Sequence, residues 1–169
     1  MRKYISVCSI LLFIIPVITL LISIQIHVLH YDLHSFPFID GKVSVSLIGR
    51  QEKTIGIFRS GFFLYMFISV LFYIKISNFF LSKDVKNKLK IYGLSANFFL
   101  CIYIFVLGRD GSFYEISRRL AIIFYITNIY INHAYIIKIL RLLKYKKKIQ
   151  INNIYLPIFY VIIVFMTVL

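Results

Sequence analysis

Acidic side chains are scarce in this chain, tryptophan is absent, and long polar stretches are few. Six Asp and Glu stand against twenty Lys and Arg in 169 residues, and only 15% of positions are charged. Soluble domains carry about a quarter charged residues. This chain therefore lacks the polar surface that folding in water requires. There are two cysteines, Cys8 and Cys101, each in or beside an apolar run and without CxxC-like spacing. They read as small buried residues, with a disulfide or thiol site as the alternative. No nucleotide loop, zincin pattern, dinucleotide fingerprint or serine elbow is present. The links between apolar runs leave no room for a soluble catalytic domain.

What the chain has instead is hydrophobic length. Apolar residues make up 60% of it. A helix needs about 20 apolar residues to cross about 30 Å of hydrocarbon. Five runs approach or exceed that: about Ser6–Leu29, Thr54–Phe80, Leu89–Leu107, Ser112–Leu143 and Ile154–Leu169. The expected fold is an all-α integral membrane protein, a bundle of about five transmembrane helices forming one domain over 1–169. The Met1-Arg2-Lys3 start resembles a signal peptide, but the apolar run continues past the usual short core, so it reads as a retained first helix. Pro16 is expected to kink that helix.

The net charge of +14 would suggest nucleic acid on a soluble protein. Here the basic residues are grouped between the apolar runs, and membrane topology accounts for them without nucleic acid. They cluster at the N-terminus, at Lys83–Lys90 and at Lys144–Lys148, all on one side if four helices cross. By the positive-inside rule that side is cytoplasmic. The alternate links hold Asp32, Asp40, Glu52, Asp110 and Glu115, so charge and parity agree. The reading puts the N-terminus in the cytosol and the long His30–Arg59 interval outside. The expected membrane is a bacterial cytoplasmic membrane, with a eukaryotic endomembrane as the alternative.

That outer interval carries most of the unusual chemistry. Pro37 and Asp40-Gly41 break it, Lys42–Leu47 alternates weakly, and Thr54 is placed to cap the next helix. Arg59 lies one turn inside that helix, to snorkel or to pair with Glu52, Asp40 or Asp110. Gly56 and Gly61 are candidates for close helix approach. His27, His30 and His34 share a helical spacing that a metal site would need together with a fourth ligand. The plainer reading is polar side chains at a helix end, and no metal or cofactor is expected. Further on, Ser112 and Glu115 form an S-x-x-E capping pattern, and Glu115 can pair with Arg118 or Arg119.

Two sets of candidate residues follow. At the outer face are Arg59, Arg118, Arg119, Asp40, Arg50, Glu52, Asp110 and Glu115, a mixed-charge surface where arginine can grip a lipid phosphate bidentately. At depth are Asn97, Asn128, Asn132 and His133, expected as hydrogen bonds between helices or as the lining of a polar cavity. Tyr103 and Tyr125 also lie deep and are expected to find buried partners.

The stretch His34–Gly41 (HSFPFIDG), followed by IFR at Ile57–Arg59 and by GRDGSFYEISRR at Gly108–Arg119, resembles the DRAM-like (damage-regulated autophagy modulator) membrane proteins. Their FP-containing segment follows the first helix on the luminal side. The likeness implies a role in membrane-lipid handling, lipid-anchor remodelling or vesicle homeostasis, and supplies no catalytic residues. The family has six helices with both ends cytoplasmic, and the five runs here depart from that. Taken together, the expected function is recognition or handling of lipid headgroups at the outer face, with membrane lipids as partners. A partner-binding subunit of a membrane complex without its own ligand is the alternative, and an intramembrane lipid-modifying enzyme the third reading.

Overall fold

A computed structural model describes residues 2–31, 45–79 and 83–145. Five helices occupy them: α1 (Arg2–Tyr31), the single turn α2 (Val45–Ile48), α3 (Ile55–Phe79), α4 (Lys83–Val106) and α5 (Ser112–Tyr145). No strand occurs among the described residues. The four long helices contain 30, 25, 24 and 34 residues. At about 1.5 Å per residue each is longer than the roughly 30 Å of a hydrocarbon core. All four are apolar enough to cross a membrane. The fifth apolar run, 154–169, lies outside the described residues.

The helices pack in chain order, α1 on α3, α3 on α4 and α4 on α5. Each buries one stripe at helical spacing. On α1 the stripe is Pro16, Thr19, Leu20, Ser23, Ile24 and His27; on α4 it is Leu89, Gly93, Ala96, Asn97, Leu100, Tyr103 and Ile104. The outward faces are no less apolar. Ile10, Ile14, Ile18 and Leu21 of α1, Leu64, Phe67 and Leu71 of α3, and Phe98 and Phe105 of α4 are all exposed. In water such surface would drive aggregation; against lipid tails it carries no penalty. Small and polar side chains sit inside, where they hold helices together.

Two glycines set the helix separations. A Cβ on Gly61 would run into the Thr19 side chain, and one on Gly93 into the Tyr73 ring, so α1–α3 and α3–α4 approach closely at those points. Gly56, by contrast, faces open space. Pro16 lies inside a continuous α1. Just beyond it, the Thr19 hydroxyl donates to the Ile15 carbonyl (2.8 Å) and Ser23 to Thr19 (2.8 Å).

Three local departures from the sequence reading have simple causes. α4 starts at Lys83 rather than Leu89, because Lys83–Lys90 is rich in lysine, a good helix former, and has Asp84 in the first turn, where a negative charge suits the helix dipole. The Gly111 carbonyl accepts the first α5 bond, from Glu115 N (3.1 Å), so Ser112 is already helical and the capping-box register is not used. Thr54 does take the N-cap position of α3, its carbonyl accepting from Phe58 N (2.9 Å). Its hydroxyl, however, donates backwards to the Ile48 and Gln51 carbonyls, tying the helix start to α2.

Candidate functional site

The α2 end of the bundle is where the polar outer residues and the helix cores meet. α2 is held there from both sides. Thr54 binds the Ile48 carbonyl, and fully buried His27 at the end of α1 hydrogen-bonds the Gln51 side chain. Because Gln51 Oε1 can only accept, His27 Nδ1 must carry the proton of that bond. His27 is thus a structural tie. No group of residues able to hold a metal occurs among the described residues. His34 lies outside them, as does most of the weakly alternating Lys42–Leu47 stretch; its last residues, Val45–Leu47, fall in the helical turn.

Beneath α2 lies a cavity of about 500 Å³, within the range of about 300–1,000 Å³ typical of small-molecule sites. Its deep walls are apolar: Pro16 and Leu20 from α1, Phe58 and Phe62 from α3, Leu100 from α4, and Ile122 and Ile126 from α5. Its mouth is polar, lined by Ser46, Arg50, Tyr103, Glu115, Arg118 and Arg119. Tyr125 closes the depth of it and donates a buried hydrogen bond to Tyr65 on α3 (3.0 Å). Tyr103 lines the mouth beside Ser46, within electrostatic reach of Arg50 and Arg118.

The three mouth arginines differ in their commitments. Arg119 pairs with Glu115 one turn away, and both are well exposed. Arg118, one residue earlier, points inward and is only 8% exposed. Its Nη1 donates to the Arg109 carbonyl (2.6 Å) and holds the α4–α5 turn. Arg50 donates through Nε to the Ser46 carbonyl (3.1 Å). Among the described residues neither Arg118 nor Arg50 has a carboxylate in ion-pairing range; the single ion pair there is Arg119–Glu115. A buried guanidinium without a counter-charge is costly, so the mouth is electrostatically incomplete toward an anion.

The other outer candidates fall elsewhere. Arg59 reaches from α3 to the Leu107 carbonyl, where Gly108 turns with φ of 80°, and so closes the end of α4 rather than pairing with an acid. Its Nε is buried with no partner among the described residues. Glu52 and Asp110 are exposed and do not line the cavity. Asp40 lies outside the described residues. Arg109 stacks its guanidinium over the Tyr114 ring at 5.6 Å, at the water-facing turn.

The three deep asparagines bind helices to one another, and none of the deep polar residues lines the cavity. Asn97 Nδ2 donates to Ser69 Oγ on α3 (3.0 Å) and to the Gly93 carbonyl (2.7 Å). Ser95 on α4 donates to Asn128 Oδ1 on α5 (2.7 Å), and Asn128 donates in turn to the Phe124 carbonyl (2.8 Å). Asn132 Nδ2 reaches the Leu89 carbonyl (3.3 Å). His133 hydrogen-bonds the Ile129 backbone within its own helix. Among the cavity residues that sequence did not single out are Ser46, Phe58 and Phe62. Ser46 carried one signal, its place in the weakly alternating Lys42–Leu47 stretch.

Comparison of the chain with known protein families, curated proteins and solved structures finds no match. The class is defined by the fold: a multi-pass helical membrane protein, with a cavity near one end of its bundle.

Proposed function

We propose that the protein recognises membrane amphiphiles, seating a polar headgroup at the Arg50–Arg118 mouth and an apolar chain in the cavity below. The observation that carries this reading is the pairing of an apolar interior with two arginines that have no acidic partner among the described residues. An arginine fork matches phosphate or carboxylate geometry and is less strongly hydrated than lysine, which suits a partly buried site. The resemblance to DRAM-like proteins, with their lipid-handling roles, points the same way. In this reading the lysine-rich ends are cytoplasmic by the positive-inside rule, and the α2 end faces outward or into a lumen.

The test is mass spectrometry of lipid retained on the purified protein. A specific lipid should remain bound to the unaltered chain and be lost from Arg50→Ala and Arg118→Ala. Full retention of that lipid by both variants would refute the site.

A further inference from the structure

The proposed amphiphile site leaves open where its occupant comes from, and the packing order of the helices addresses that. α1, α3, α4 and α5 are joined by three packed interfaces in series. The cavity is lined from both α1 and α5, the two ends of that series. Among the described residues, its wall on that side is therefore the one not built by a closely packed helix pair. Along α5 the lining runs from Glu115 to Ile126, about 16 Å of helix axis and so about half of a 30 Å hydrocarbon core. A slot of that depth, headed by cationic groups at the α2 end, matches one leaflet of a bilayer.

Resting on the amphiphile reading, we infer that the α1–α5 seam is a lateral portal. It admits a chain of an anionic lipid from the adjoining leaflet while the oxyanion headgroup meets Arg50 and Arg118. Charge selects the lipid. A phosphate monoester keeps its full negative charge for the arginines, whereas a phosphocholine carries its own cation, which those arginines repel. Dry apolar walls below the headgroup strengthen that discrimination, because charge interactions grow as the dielectric falls. A chain entering through the seam also avoids passing its tail through water.

The absence of tryptophan supplies the experiment. Phe62→Trp places a sole tryptophan in the cavity wall, and Phe98→Trp places one on an exposed lipid-facing position of α4 as a control. The full chain, reconstituted in nanodiscs, is read by quenching from lipids brominated at mid-chain. Brominated phosphatidic acid, as a minor component of unbrominated phosphatidylcholine, should quench the Phe62→Trp reporter well beyond its share of the bilayer. Brominated phosphatidylcholine should quench chiefly the control. Arg50→Gln and Arg118→Gln should each weaken the phosphatidic acid effect roughly tenfold, as for loss of a charge-assisted bond. Arg50→Gln leaves the α4–α5 turn bond of Arg118 in place, so it reports the site even if Arg118→Gln misfolds.

Equal quenching of the cavity reporter by both lipids would overturn charge selection while keeping the amphiphile reading. Quenching of the control alone would show a cavity closed to chains and overturn both. If inorganic phosphate at millimolar concentration relieves the phosphatidic acid quenching, the mouth serves a free anion, and the portal is refuted.

Discussion

The two ends of α5 handle polarity in opposite ways. Toward its far end, Asn128 and Asn132 spend their side chains on α4, against Ser95 and the Leu89 carbonyl, beside the Leu89–Ile136 contact. At its start, Arg118 is nearly as buried, yet its charge meets no acid among the described residues and lines open space. The same helix thus ties one region to α4 with neutral amides and, among the described residues, leaves the other with a cation that has no acidic partner. Neutral amides can be satisfied by backbone carbonyls, which every helix offers. A guanidinium charge is not neutralised that way, and under the proposed reading an anionic headgroup meets it.

The contrast can be broken at several points. The largest effect is expected from Gly93→Leu, which forces a side chain into the Tyr73 ring at the α3–α4 contact. It should cost about 3 kcal/mol or prevent folding, read as a lowered melting temperature in detergent. Next is Arg118→Ala, which should reduce retained anionic lipid about tenfold, or about 1.4 kcal/mol of binding. Asn132→Ala should do the reverse, with lipid retention unchanged and stability lowered by about 0.6–1.7 kcal/mol, the range for hydrogen bonds between membrane helices. If Asn132→Ala strips lipid as strongly as Arg118→Ala, the two ends are not distinct. The smallest effect is expected for Glu115→Gln. It releases the exposed Arg119 from its ion pair and should change stability by less than about 1 kcal/mol. It should also tighten anionic lipid binding, because the mouth gains net positive charge.

The architecture was largely legible in the sequence because hydrocarbon imposes a strict length and hydropathy rule. The runs at Thr54–Phe80 and Ser112–Leu143 fall within two residues of α3 and α5. The charged start of α4 did not obey that rule, since a lysine-rich segment can be helical outside the hydrocarbon. Asn97 was readable as a bond across a helix contact, and Tyr103 and Tyr125 as buried hydroxyls in need of partners, because a buried polar atom has few options. What sequence did not separate was Arg118 from Arg119. Adjacent residues on a helix differ by about 100° in direction, and which one faces inward depends on how α5 is rotated against α4. Nor did it reveal the cavity, whose Phe58 and Phe62 look like any other membrane phenylalanines. Open space is a property of several helices together and has no local signature.

Packing in chain order also bears on how the molecule is made. Each long helix finds its neighbour among those synthesised just before it, so assembly proceeds by local steps with little loop entropy to overcome. The α1–α5 boundary is the exception, since it joins the earliest described helix to the last. Among the described helices that boundary is the last to come together, only once α5 has been added.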